Sequence, residues 1–99
     1  MNNDAVTIAP HMHKVVFEND KVRVLEVSVK PKDKAEMHGH PENMVYVIKP
    51  GLLRFTNQQG EVNDANLEAG QITSSGENFH EVENIDDTEL FAIQVEFKK

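Results

Sequence analysis

The sequence predicts an all-β domain, a sandwich or barrel of short antiparallel strands, and three observations predict it. Apolar residues recur with a period of two in the clearest segments. Turn-forming residues interrupt the chain roughly every eight to twelve positions. No segment carries an apolar stripe long enough for three helical turns, so little or no helix is expected. Ninety-nine residues leave room for a single core.

Taken in order, residues 1–12 lack periodicity and read as an N-terminal arm, loose or packed on a neighbouring subunit, with the barrel domain over 13–99. Val22–Val29 is a strand rich in β-branched residues, with Leu25, Val27 and Val29 on one side. Met44–Ile48 is a short, nearly all-apolar strand. Phe91–Phe97 is a half-buried strand with Phe91, Ile93, Val95 and Phe97 on one face and Ala92, Gln94 and Glu96 on the other. Turns fall at Asn19-Asp20, Lys30–Asp33, His40–Asn43, Pro50-Gly51, Gln59-Gly60, Ala69-Gly70, Ser75–Asn78 and Asn84–Asp87. Gly51 and Gly70 stand at hairpin corners, where a positive φ is often needed.

Composition narrows the function. The chain is 38% hydrophobic and 27% charged with a net charge of −7, and from Phe55 to Phe97 there are ten Asp or Glu residues and no Lys or Arg. Phosphate backbones are bound by clustered Lys and Arg, so neither a nucleic-acid partner nor an anionic membrane is expected. No apolar run approaches the roughly 18–20 residues that span a bilayer. MNNDAVTIAP has no basic or apolar leader region, which makes the cytoplasm the expected location. There are no cysteines, so any metal must be held by His, carboxylate, amide or thioether.

Five histidines carry the functional signal. His38 and His40 stand two apart in a strand-like region, which puts both imidazoles on one face about 6.6 Å apart, close enough to converge on one ion. Met44 follows, then Gly51; farther on come Gly70, Ser75, Glu77, His80 and Asn84. This layout resembles the two motifs of the cupin family. The first, G-x5-H-x-H-x(3,4)-E-x6-G, matches with Asp33 near the first Gly, His38, His40, Met44 in the Glu slot and Gly51 in register. The second, G-x5-P-x-G-x2-H-x3-N, matches with Gly70, Ser75 for Pro, Glu77 for the second Gly, His80 and Asn84. The resemblance spans residues 33–84.

It implies a double-stranded β-helix, or jelly-roll, barrel of two antiparallel sheets. It also implies a mononuclear divalent transition-metal centre (Fe, Cu, Mn, Ni, Co or Zn) held by His38, His40 and His80. Met44 either lines the pocket or adds a thioether ligand, the latter favouring copper; alternatively the metal site has decayed. By strand parity Met44, Tyr46 and Ile48 share the inward face with the histidines, and Val45 and Val47 face outward. Glu42 is a candidate ligand or general base, and Tyr46 a candidate hydrogen-bond donor to a substrate. Gln94 and Arg54 are possible polar pocket groups, and His11 and His13 read as polar surface residues. Together these point to a non-haem, dioxygenase-like metalloenzyme acting on a small organic molecule, with a non-catalytic binding or sensing module as the alternative. A homodimer through an outer sheet face is expected of so short a chain.

Overall fold

The structure, a computed structural model, describes residues 3–99. One single-turn helix, α1 (Ala5–Ile8), precedes nine strands: β1 (His13–Glu18), β2 (Val22–Val29), β3 (Lys34–His40), β4 (Asn43–Lys49), β5 (Gly51–Asn57), β6 (Val62–Leu67), β7 (Ile72–Ser75), β8 (Asn78–Asn84) and β9 (Leu90–Phe97). They form two antiparallel sheets, ordered β1-β2-β9-β4-β7 and β3-β8-β5-β6. The architecture is therefore all-β, as alternation and turn spacing predict, and the two-sheet barrel that the resemblance implies. No helix among the described residues is long and apolar enough to cross a membrane.

Local chemistry explains the main corners. Gly70 has φ 86°, a value that favours a residue without Cβ. Gly51 does not have a positive φ; its constraint is space, because a Cβ there would lie 3.1 Å from Cβ of Leu90. Asn84 is fully buried and ties three segments together: its Nδ2 donates to the carbonyls of Val29 at 2.8 Å and Thr88 at 2.9 Å, and its Oδ1 accepts from the Asp86 N–H.

The described part of the N-terminal segment, residues 3–12, packs on the chain's own barrel rather than hanging loose. Asp4 caps α1 by accepting from the Val6 N–H at 3.2 Å, and Ala5, Ala9 and Met12 are buried, the last two within the main core cluster. Small alanines let this segment lie close against the sheet.

Two strands present the face opposite to the expected one. On β9 the inward residues are Leu90, Ala92, Gln94 and Glu96, whereas Phe91, Ile93, Val95 and Phe97 are half-buried on the outside. On β4 the inward residues are Asn43, Val45 and Val47, and Met44, Tyr46 and Ile48 are exposed. The cause on β4 is the corner at Pro41-Glu42. There the chain leaves the four-stranded sheet and enters the five-stranded one, so the alternation of β3 does not carry over.

Candidate metal centre

Both sheets contribute histidines to one cluster. In β3 the register slips between Ala35, opposite Val82, and His38, opposite His80. That bulge of one extra residue lets Ala35 sit in the core while His38 and His40 also face inward; regular alternation would have put Ala35 and His38 on opposite faces. His80 on β8 is the direct cross-strand neighbour of His38. His13, at the start of β1, comes from the other sheet, where the turn from Ala9 to His13 folds it inward. Ring centroids lie 5.2 Å apart for His13–His38, 5.4 Å for His13–His40, 5.0 Å for His38–His40 and 4.9 Å for His38–His80. His13, His38 and His40 are all buried, and one nitrogen from each lies within 4.8 Å of the others.

Hydrogen bonds assign the tautomers. His13 Nδ1 donates to the Ala9 carbonyl at 3.1 Å and His38 Nδ1 to the Glu36 carbonyl, in the bulge, at 2.6 Å; His40 Nδ1 donates to Glu96 Oε2 at 2.7 Å. Carbonyl and carboxylate oxygens only accept, so each Nδ1 carries the proton and each Nε2 is left with a lone pair. Nε2 of His38 is buried without any hydrogen-bond partner, the one such side-chain atom among the described residues. An orphaned lone pair beside two similar imidazoles is the arrangement a divalent cation satisfies, and the donor set fits a transition metal.

Electrostatics keep His13, His38 and His80 neutral without a cation. Burial, with neighbouring histidines adding to it, pushes His13 down to about 4 and His80 down to about 3, and burial also lowers His38. Neutral imidazole is the form that binds metal. Burial alone would raise the Glu96 carboxyl, but its hydrogen bonds from His40 and Arg23 outweigh this and hold it below the usual carboxylate value.

A cavity of about 460 Å³ adjoins the cluster and is lined by all four histidines. Its wall is mainly apolar, with Val27, Val29, Leu53, Phe55 and Leu90, and its polar inner groups include Asn43 and Gln94. Gln94 Nε2 donates to Asn43 Oδ1 at 3.1 Å, and Asn43 Nδ2 to the Pro41 carbonyl at 2.8 Å. No Lys or Arg lines the cavity among the described residues.

No family model matches the sequence, and no curated protein matches it. Solved structures do. A cupin domain from Bordetella pertussis Tohama I superposes with a TM-score of 0.82 at 26% identity, covering 89% of this chain and 93% of that one. The fold is that of the cupins. An RmlC-like cupin family protein with a double-stranded β-helix fold from Methanocaldococcus jannaschii matches with a TM-score of 0.68 at 16% identity, over 87% of this chain and 78% of that one. An uncharacterised double-stranded β-helix protein from Klebsiella pneumoniae gives 0.68 at 22%, over 85% and 73%.

Within the cupin barrel the expected site residues divide. His38, His40 and His80 line the cavity together. Met44 is 39% exposed and Tyr46 47% exposed, both outside the barrel, so neither a thioether ligand nor a phenol serves this centre. Glu42 is solvent-exposed at the corner, where only its backbone carbonyl is engaged, by the Phe97 N–H. Gln94 does line the cavity, whereas Arg54 is exposed and paired with Asp64 at 2.8 Å. His11 remains at the surface, near Asp33. His13 does not: it is 4% exposed, because buried Ala9 and Met12 anchor the turn that draws it into the barrel. Its signal was a second H-x-H in a chain with only five histidines.

Proposed function

We propose that this cupin holds one divalent transition-metal ion at its histidine cluster and acts as a non-haem, dioxygenase-like or related metalloenzyme on a small organic molecule bound in the adjoining cavity. The observation that carries the reading is the buried, unpartnered Nε2 of His38 beside the buried imidazoles of His13 and His40, on the wall of that cavity. Imidazole donors suit Fe, Cu, Ni or Zn, and three neutral ligands leave the ion's full charge available as a Lewis acid toward a ligand in the cavity. The apolar wall, free of Lys and Arg, suits a substrate with an apolar body that is held by its polar end at the centre.

Elemental analysis of untagged protein tests the centre: about one metal per chain is expected, with loss in His38→Ala. Unchanged metal in that variant sinks it. Oxygen uptake by the Fe(II) or Cu form with thiols and diketones then tests the enzymatic reading.

His80 supports a second reading. Its ring lies 4.9 Å from that of His38 and 5.3 Å from that of His40, so a fourth imidazole is at hand to close the coordination shell, as in a non-catalytic binding or sensing module. A cobalt-substituted protein whose visible spectrum ignores added azide favours that closed site, and a spectrum that responds favours the open one.

The outer apolar face of the five-stranded sheet supports pairing with a second copy of the chain. Met44, Tyr46, Val95, Ile93 and Ile72 lie in adjacent register positions across three strands of that sheet.

A further inference from the structure

Glu96 is the one buried carboxylate among the described residues, 1% exposed on the inward face of β9. Its two oxygens have different partners. Oε2 accepts from His40 Nδ1 at 2.7 Å, and Oε1 accepts from Arg23 Nε at 2.8 Å and Nη2 at 2.5 Å. Arg23 in turn binds Asp4, through Nη1 to Oδ2 at 3.1 Å and through Nη2 to Oδ1. An unbroken chain of charge-assisted hydrogen bonds thus runs from the cap of α1 through β2 and β9 to an imidazole of the cluster.

We infer that Glu96 is the positioning residue of the metal centre, fixing His40 with Nε2 toward the ion and supplying, one residue behind the ligand, the carboxylate that β4 does not provide. The inference rests on the metal-centre reading. Burial of a carboxylate is costly, and replacing a buried ion pair with apolar side chains is often neutral or stabilising, so stability alone is a weak reason for Glu96. Arg23 also does not occupy the carboxylate with a two-pronged grip on both oxygens; it leaves Oε2 to His40. A carboxylate on the far nitrogen of a ligating histidine fixes the ring's orientation and tautomer and raises its basicity toward the metal. Asp4 and Arg23 then hold Glu96 in place, so the N-terminal segment supports the centre through this chain as well as through His13.

The test is a chelator-competition titration of the full chain with Co²⁺, read together with its visible spectrum and the ¹⁵N NMR signature of His40. Three proteins are compared: wild type, Glu96→Gln and the double variant Glu96→Gln with Arg23→Gln. Glu96→Gln should weaken Co²⁺ binding roughly 10- to 100-fold, shift the cobalt bands and leave His40 as a mixture of tautomers. The double variant removes the guanidinium that Glu96→Gln leaves with Asp4 alone as its carboxylate, and carries the same readouts if the single variant fails to fold; the same loss there supports positioning. Affinity within about twofold of wild type in a folded variant, with an unchanged spectrum, overturns the inference. Absence of Co²⁺ binding by the wild type would instead remove the metal-centre reading itself, so the two failures are distinguishable.

Discussion

Gly39 separates His38 and His40 because no larger residue fits. A Cβ at this position would lie 2.5 Å from Cε1 and 2.8 Å from Cδ1 of Phe79, its cross-strand partner on β8, whose ring covers the glycine. Gly39→Ala must displace that ring or the backbone that aims both imidazoles, and such overpacking costs about 1–3 kcal/mol. A lower urea midpoint together with weaker metal binding is expected; if both stay at wild-type values, the ring yields freely and the constraint is not there. The same scale separates His13 from Met44. His13→Ala should weaken Co²⁺ binding roughly tenfold or more, since it removes one of three buried donors, whereas Met44→Ala alters an exposed side chain and should leave affinity unchanged. Equal losses in the two variants would bring the thioether back into the centre.

At the scale of the element, the β3 bulge does for the centre what alternation alone cannot. Deleting Met37 leaves Ala35 and His38 two apart on one face of a regular strand, so both can stay inward, but it takes out the bulge whose Glu36 carbonyl accepts from His38 Nδ1. Metal binding should weaken without being abolished while the far-ultraviolet strand signal is kept; wild-type affinity would mean that the bulge does not set the His38 ring. This element also shows what was legible in the sequence. The strands, the turns, His38, His40, His80 and Asn84 could be read because residue spacing within one strand or motif is a local property. Which face turned inward could not. On β4 the two-residue corner changes sheets and resets parity, and on β9 the apolar stripe from Phe91 to Phe97 faces out while Glu96 faces in behind His40. His13 escaped for the same reason: its place depends on how Ala9 and Met12 pack, a tertiary contact with no periodic trace.

For the whole molecule, the two inversions leave an apolar outer face on the five-stranded sheet, and an uncharged patch can pair with its own copy about a two-fold axis without matched charges. Tyr46→Glu, placed beside Ile93 and Ile72, should turn a homodimer into a monomer in sedimentation at micromolar concentration; a wild-type monomer under those conditions rules the dimer out. The buried core of the centre sets a second global property, the response of the metal-free protein to acid. His13, His38 and His80 stay neutral when folded because their values lie below 6.5, at about 4 for His13 and about 3 for His80, whereas in the unfolded chain they take up protons near 6.5. Their contribution is complete above that pH and is lost as pH falls from about 6.5 toward those lower values, by about 1.4 kcal/mol per pH unit for each histidine that the unfolded chain protonates first. Glu96 acts in the same direction: its folded value lies below 4.5, so what it contributes above that pH disappears on further acidification. Urea denaturation across pH 7.5 to 4.5 should therefore show stability falling steeply below about 6.5, with the slope reduced in His13→Ala. A flat profile through that window would mean that the imidazoles are hydrated or charged in the folded barrel, and would remove the neutral cluster on which metal binding depends.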